Sequence, residues 1–111
     1  ITIERAAFSK CHQLMEVVGQ KLQFVGASAF RECSNLMSIN VQNVEEIGLN
    51  AFELCFGLNN LNLSSLKSLQ RKAFDNCPLL KRVQFHEQFR GFFNCESQKV
   101  RHFGKFKFVL N

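Results

Sequence analysis

The side chains in this chain best suited to chemistry are five cysteines and three histidines, and the cysteines are spaced with unusual regularity. Cys11, Cys33, Cys55 and Cys77 fall 22 residues apart. Thiolates at fixed intervals could bridge, hold a metal or act as nucleophiles. Zinc asks for paired ligands at short spacing, but no C-x-x-C or H-x-x-x-H pair occurs, and Cys11-His12 is adjacent with no partner. Disulfides would suit scattered cysteines in a small secreted chain. Cysteines at one equivalent position per turn of a repeat instead stack as a ladder, with rungs roughly 5 Å apart and parallel Cβ vectors that do not suit a bridge. They are expected to be buried free thiols serving as small hydrophobes, with Cys95 less constrained. Nor do the histidines assemble a catalytic site. His12 occupies a position otherwise filled by Ser34, Phe56 and Pro78, His86 falls at a strand end, and His102 lies near the C-terminus. Asp75 is the lone aspartate, and there is no Gly-rich phosphate loop or nucleophile elbow. The expectation is therefore a protein that is not an enzyme, with no cofactor and no metal.

The same interval governs the rest of the chain. Each cysteine follows an Ala-Phe pair, at Ala7-Phe8, Ala29-Phe30, Ala51-Phe52 and Ala73-Phe74. Apolar residues recur after it: Leu14, Leu36, Leu58 and Leu80, then Val17, Ile39, Leu61 and Val83, then Gly19, Val41, Leu63 and Phe85. Leu22, Val44 and Leu66 follow, with Gln88 as the exception, and then Val25, Ile47 and Leu69, with Ile3 one period earlier. A fixed period of this length, held without insertion, marks a solenoid whose repeats are single structural units. The L-x-x-L-x-L segment, cleanest at Leu58 to Leu63, alternates as a strand does. Apolar residues at i, i+1 and i+4 around A-F-x-x-C suit a single helical turn on the opposite side. The fold expected is α/β: a right-handed leucine-rich-repeat solenoid, with one short parallel strand per repeat on the concave face and a short helix or turn on the convex face.

This A-F-x-x-C-x-x-L core and repeat length resemble the BspA-like leucine-rich repeats, over residues 3 to about 89. The resemblance implies proteins of bacteria and parasitic protists, many exposed on the cell surface as adhesins that bind host matrix proteins or other cells.

Two domains of organisation are expected. Residues 1–89 read as four repeats. The first of these opens inside the pattern with no polar lid, so that Ile3, Phe8 and Leu14 face nothing; either more repeats precede it or two chains share that end. From residue 90 the pattern degenerates. The next Ala-Phe pair is replaced by Cys95-Glu96, with an early echo at Gly91 to Cys95, and Lys105 to Leu110 alternates like a charged edge strand. Residues 90–111 read as a C-terminal cap. No apolar run is long enough to span a membrane. The chain has thirteen Phe and neither Trp nor Tyr. Phe8, Phe24, Phe30, Phe52, Phe74 and Phe85 fall on the repeat or in its apolar segments, as core.

Function then has to come from the positions that the repeat leaves free. The outward strand positions form a polar grid expected to bind a partner: Glu16, Ser38, Asn60 and Arg82, then Asn40, Asn62 and Gln84 beside Val18, then His86 in a column with Gln20, Gln42 and Ser64. Amides and hydroxyls give directional hydrogen bonds to protein or glycan. Charge is asymmetric: residues 1–66 carry four Lys or Arg and six Glu, whereas residues 67–111 carry ten and three acids. Lys67, Arg71, Lys72, Lys81 and Arg82 crowd the fourth repeat as a basic pole suited to acidic proteins or sulfated glycans; nucleic acid has no motif in its support. Leu54, Phe56 and Leu79 stand where other copies are mostly polar, a candidate apolar interface. Self-association could use that patch or the open N-terminal end. Arg82-Val83-Gln84-Phe85 matches the R-V-x-F segment that docks on type 1 protein phosphatase.

The function expected is a protein-binding module of a BspA-like surface or adhesion protein, recognising protein or glycan partners through the concave face and basic pole. The alternative is an intracellular regulatory scaffold, for example a type 1 phosphatase-binding protein. Family resemblance favours the cell surface; unpaired thiols favour a reducing compartment.

Overall fold

The computed structural model describes residues 1–92, with burial through Arg90. The cap expected over 90–111, including Cys95 and the alternating Lys105 to Leu110, lies apart from its first residues outside the described part. Eight short strands follow one another: β1 (Thr2–Ile3), β2 (Glu16–Val17), β3 (Phe24–Val25), β4 (Ser38–Ile39), β5 (Glu46–Ile47), β6 (Asn60–Asn62), β7 (Ser68–Leu69) and β8 (Arg82–Gln84). A 3-10 helix, Glu87–Phe92, comes after them.

The strands fall into two columns, and every pairing is parallel between residues one period apart. In the first column β1-β3-β5-β7 form one sheet, with Thr2 opposite Phe24, Glu46 and Ser68 in succession. In the second, β2 pairs with β4 and β6 with β8, so that Glu16 meets Ser38 and Asn60 meets Arg82. The L-x-x-L-x-L strands therefore lie where the sequence places them. The expectation of one strand per repeat was wrong, because each repeat contributes two.

Of the short helix or turn expected at A-F-x-x-C, no helix forms, so the α component of the α/β assignment is absent from the repeats. These segments are turns in which successive N–H groups have alternating destinations. Ala7, Ser9 and Cys11 donate back to Glu4, Ala6 and Phe8 within their own coil, while Ala6, Phe8 and Lys10 donate forward to Ala27, Ala29 and Arg31 of the next. The same alternation recurs one period later, with Ser28, Phe30 and Glu32 bonding to Leu49, Ala51 and Glu53. A helix would direct those groups to i−4; here they form a third inter-coil ladder. The geometry is obtained with left-handed residues at Ala6 and Lys10, Ser28 and Glu32, Asn50 and Leu54, and Lys72 and Asn76. For residues with a Cβ this conformation costs about 1 kcal/mol each, which the satisfied N–H groups offset.

Between the three ladders lies the core. Val25, Ala29, Phe30, Cys33, Leu36, Ile39, Val41, Val44 and Ile47 are all buried, as are their equivalents one period later from Ala51 to Leu69. Phe8, Phe30, Phe52 and Phe74 form a near-parallel stack, with centroids 5.5, 5.2 and 5.2 Å apart, an offset arrangement favourable to aromatic rings. Phe24 is corrected: it points outward from β3 and is half-buried. Gly19 replaces the buried Val41, Leu63 and Phe85 of its column with no side chain at all. Gln88, the exception in its own column, is exposed, and Phe89 is buried instead. The 3-10 helix thus shifts the core position by one residue.

Gly26 and Gly48 are required by close approach of coils. A Cβ on Gly48 would lie 2.7 Å from the Ala27 nitrogen, and one on Gly26 2.8 Å from the Arg5 nitrogen. Gly48→Ala is expected to destabilise by about 1–3 kcal/mol, because backbone must move. Phe52→Ala, from the middle of the ring stack, should cost about 3–5 kcal/mol. Phe8→Ala, at the stack's end and already 37% exposed, should cost less than half as much. Urea unfolding of the three variants checks the order.

Candidate recognition surface

The cysteines do more than fill space. Cys33 Sγ donates to the Phe8 carbonyl at 3.0 Å, Cys55 Sγ to Phe30 at 3.1 Å and Cys77 Sγ to Phe52 at 3.1 Å. Each of these carbonyls also accepts the backbone N–H of the cysteine in its own coil, so the thiol supplies a second, inter-coil donor. Cys11, Cys33, Cys55 and Cys77 are free thiols, three of them buried and Cys11 half-buried. Burial raises the Cys33 and Cys55 thiols above their ordinary range and pushes Cys77 up to about 12. These groups stay protonated and inert, the opposite of an activated nucleophile. Among the described residues no group of three or more His, Cys, Asp or Glu could hold a metal ion, and no helix is long and apolar enough to cross a membrane.

The polar grid sits on the second strand column. Glu16, Ser38, Asn60 and Arg82 are exposed and form its outward row, directly paired across β2-β4 and β6-β8. Asn40, Asn62, Gln84 and His86 are half-buried, and three of them are engaged in holding the chain. The Asn40 Oδ1 accepts from the Gln42 N–H at 3.1 Å and the Asn62 Oδ1 from the Ser64 N–H at 3.0 Å. Such Asx turns end the strand and swing the chain toward the first column. His86 Nε2 lies 3.0 Å from the Ser64 carbonyl; since a carbonyl only accepts, that nitrogen carries the proton. The residues of this column left most exposed are thus those of the outer row.

Beyond the Asx turns the surface opens into a groove of about 1010 Å³ that runs across the coils, lined by Gln20, Lys21, Asn43, Glu45, Ser64, Ser65, Lys67 and His86 among others. His86 and its column-mates Gln20 and Ser64 pointed toward it. Lys21, Asn43, Glu45 and Ser65 were missed, since their columns carry no apolar alternation to mark a boundary. The Asn43 amide donates to the Gln20 carbonyl at 2.7 Å, tying two coils along the groove wall.

The basic residues of the fourth repeat belong to one coil but to different sides of it. Lys67 lines the groove and pairs with Glu45 at 3.2 Å. Arg71 and Lys72 sit where the chain passes from β7 into the turn, and Lys81 and Arg82 where it enters β8; all four are exposed. Of the apolar trio, Phe56 and Leu79 are exposed, whereas Leu54 is half-buried in a left-handed turn position. Val83 and Phe85 are fully buried, which places the apolar residues of the R-V-x-F match inside the core.

A model of the BspA type leucine rich repeat region matches residues 1–107 in 6 copies. The chain belongs to that family. A crystal structure of a leucine-rich repeat protein from Bacteroides ovatus is similar to it, with 35% identity and a TM-score of 0.74, covering 85% of this chain and 26% of that one. The chain therefore spans about a quarter of that protein's length. No curated protein matches it. Family membership and the leucine-rich repeat fold together make the chain a repeat-protein module.

The thiol ladder yields a pH signature. In the unfolded chain a thiol ionises near about 8.5, while folded Cys77 holds its proton to about 12. Between those values the unfolded state binds fewer protons, so stability falls as pH rises and is undiminished below the ordinary thiol range. The urea midpoint should be flat to about pH 8 and fall above it, and Cys77→Ala should flatten part of that slope. At neutral pH, peptide mapping after alkylation should find Cys11 modified ahead of Cys33, Cys55 and Cys77.

Proposed function

We propose that the chain is a non-enzymatic protein-binding module, part of a BspA-like surface or adhesion protein, that recognises its partner through the outer row of the second strand column and the adjoining groove. The observation that carries this reading is the division of labour along that column. Asn40, Asn62 and His86 are committed to backbone, while Glu16, Ser38, Asn60 and Arg82 are exposed, paired as Glu16 with Ser38 and Asn60 with Arg82, and among the described residues their side chains make no bond beyond one from Asn60 to Asn59. Neutral amides and hydroxyls flanked by one acid and one base suit a protein surface at low desolvation cost, and a glycan would use the same hydrogen-bonding groups. The cations of the fourth coil add long-range attraction for acidic partners.

An intracellular scaffold is the second reading, favoured by four unpaired thiols. Its phosphatase-binding form draws no support from Arg82 to Phe85, since docking would require β8 to leave the core.

The test is direct binding of the chain to a panel of extracellular-matrix proteins by biolayer interferometry. Ser38→Lys with Asn60→Lys obstructs the row without touching the core and should weaken binding about tenfold or more. Arg71, Lys72, Lys81 and Arg82 changed to Ser should slow association and remove its salt dependence. Equal binding by wild type and the Ser38/Asn60 variant would end the assignment of that row.

A further inference from the structure

A different surface, on the corner between the turns and the second strand column, has the make-up of a docking site. Met15, Met37, Phe56 and Leu79 are 59, 49, 46 and 48% exposed, in four successive coils. They are large apolar side chains at positions where a repeat has no need of them: their column-mates are Asn59 and Lys81, His12 and Ser34, and Gln13 and Asn35. Met15 and Met37 stack directly, the Met37 N–H donating to the Met15 carbonyl at 2.9 Å. At the centre is Gly57, which leaves a notch: a Cβ there would be 3.5 Å from the Met37 Cγ and 3.3 Å from the Leu36 and Ser34 carbonyls. Leu79 stands one period above that notch, with Phe56 beside it in sequence. Four exposed residues of this size, one in each of four successive coils, make up an apolar band, and monomers seldom leave such surface bare without a use.

The band has a charged border on one side. Lys81 and Arg82 follow Leu79 closely, are exposed, and form no ion pair with a described residue. They are held in place through the backbone, both N–H groups donating to the Asn59 carbonyl, at 3.0 and 3.2 Å. Flexible methionines suit a surface that adapts to more than one apolar anchor. Two cations at the end of such a band select what continues beyond the anchor.

We propose that the Met15–Met37–Phe56–Leu79 band with its Lys81–Arg82 border is a docking surface for a partner peptide that carries apolar anchors followed by acidic side chains. The anchors lie along the methionines and the Gly57 notch, and the carboxylates meet Lys81 and Arg82. This surface shares Arg82 with the polar row but uses neither Ser38 nor Asn60, so it can fail while the reading above stands, and the reverse.

The chain contains two methionines, both in the band, so methyl-13C-methionine NMR reads it without interference from other sites. The probe is a synthetic peptide of about 12 residues, with apolar anchors at i and i+4 and a run of glutamates after them. Both methyl signals should shift on titration. Phe56→Ser with Leu79→Ser should weaken binding about tenfold or more. Lys81→Ser with Arg82→Ser should weaken it about threefold to tenfold and flatten its salt dependence, as should replacing the peptide's glutamates by lysines. Methyl signals that stay put at millimolar peptide would overturn the proposal, as would equal affinity for the glutamate and lysine peptides. Sedimentation showing a dimer that Phe56→Ser abolishes in the absence of peptide would assign the band to a second copy instead.

Discussion

In the first three A-F-x-x-C turns the backbone has to satisfy its N–H groups without a helix, and it does so by sending them alternately backward within the coil and forward to the next one. Everything else depends on that alternation. It fixes the distance between coils on the turn side to the spacing set by the two strand columns, so three ladders close around a single core. It also brings each Phe over the Phe of the neighbouring coil and aligns each thiol with a Phe carbonyl of the coil before. A helical turn in the same place would have satisfied its own groups and left adjacent coils joined there only by side chains.

That arrangement explains why the repeat reads so clearly and why its geometry reads less well. Core positions were legible because one buried residue in each column must recur every period, and Leu36, Leu58 and Leu80 or Phe30, Phe52 and Phe74 could be placed by interval alone. The second-column strands were legible at Leu58 to Leu63, where several residues alternate. The first column was not: Phe24-Val25, Glu46-Ile47 and Ser68-Leu69 each present a single inward residue, too few to show a period of two. Whether the opposite side is helix or turn was not legible for a related reason. Apolar residues at i, i+1 and i+4 fit a helix as well, and of the left-handed residues that exclude one only Asn50 and Asn76 are of a type that favours this conformation, whereas Ala6, Lys10, Ser28, Glu32, Leu54 and Lys72 carry no such signal in a sequence.

The candidate surface divides along the same line. Ser38, Asn60 and Arg82 could be placed outward from the strand register, and the structure puts them there. What interval arithmetic could not separate is an Asn presented to a partner from an Asn spent on an Asx turn, since both are polar residues in polar columns. Asn40 and Asn62 belong to the second kind. The groove was missed because it is built from corners, where consecutive residues of several columns contribute and no single column stands out. The exposed methionines were missed for another reason: their column also holds Asn59 and Lys81 and is one the repeat leaves free, and two apolar members there do not stand out as a single one does among polar column-mates.

Solenoid energetics then constrain where recognition can sit. Each coil touches only its neighbours, so stability is close to a sum of coil and interface terms, and a substitution that disturbs the core weakens two interfaces at once. Phe52 and Cys55 each meet coils on both sides and leave little room for change. The outer row, the groove walls and the apolar band all lie on side chains that leave the three ladders intact when altered. Gly57 marks the boundary between these regimes: it is outside the core, but a side chain there would press on two carbonyls of the preceding coil. That crowding keeps position 57 without a side chain while the residues around it vary, which gives the apolar band a fixed centre with adjustable edges.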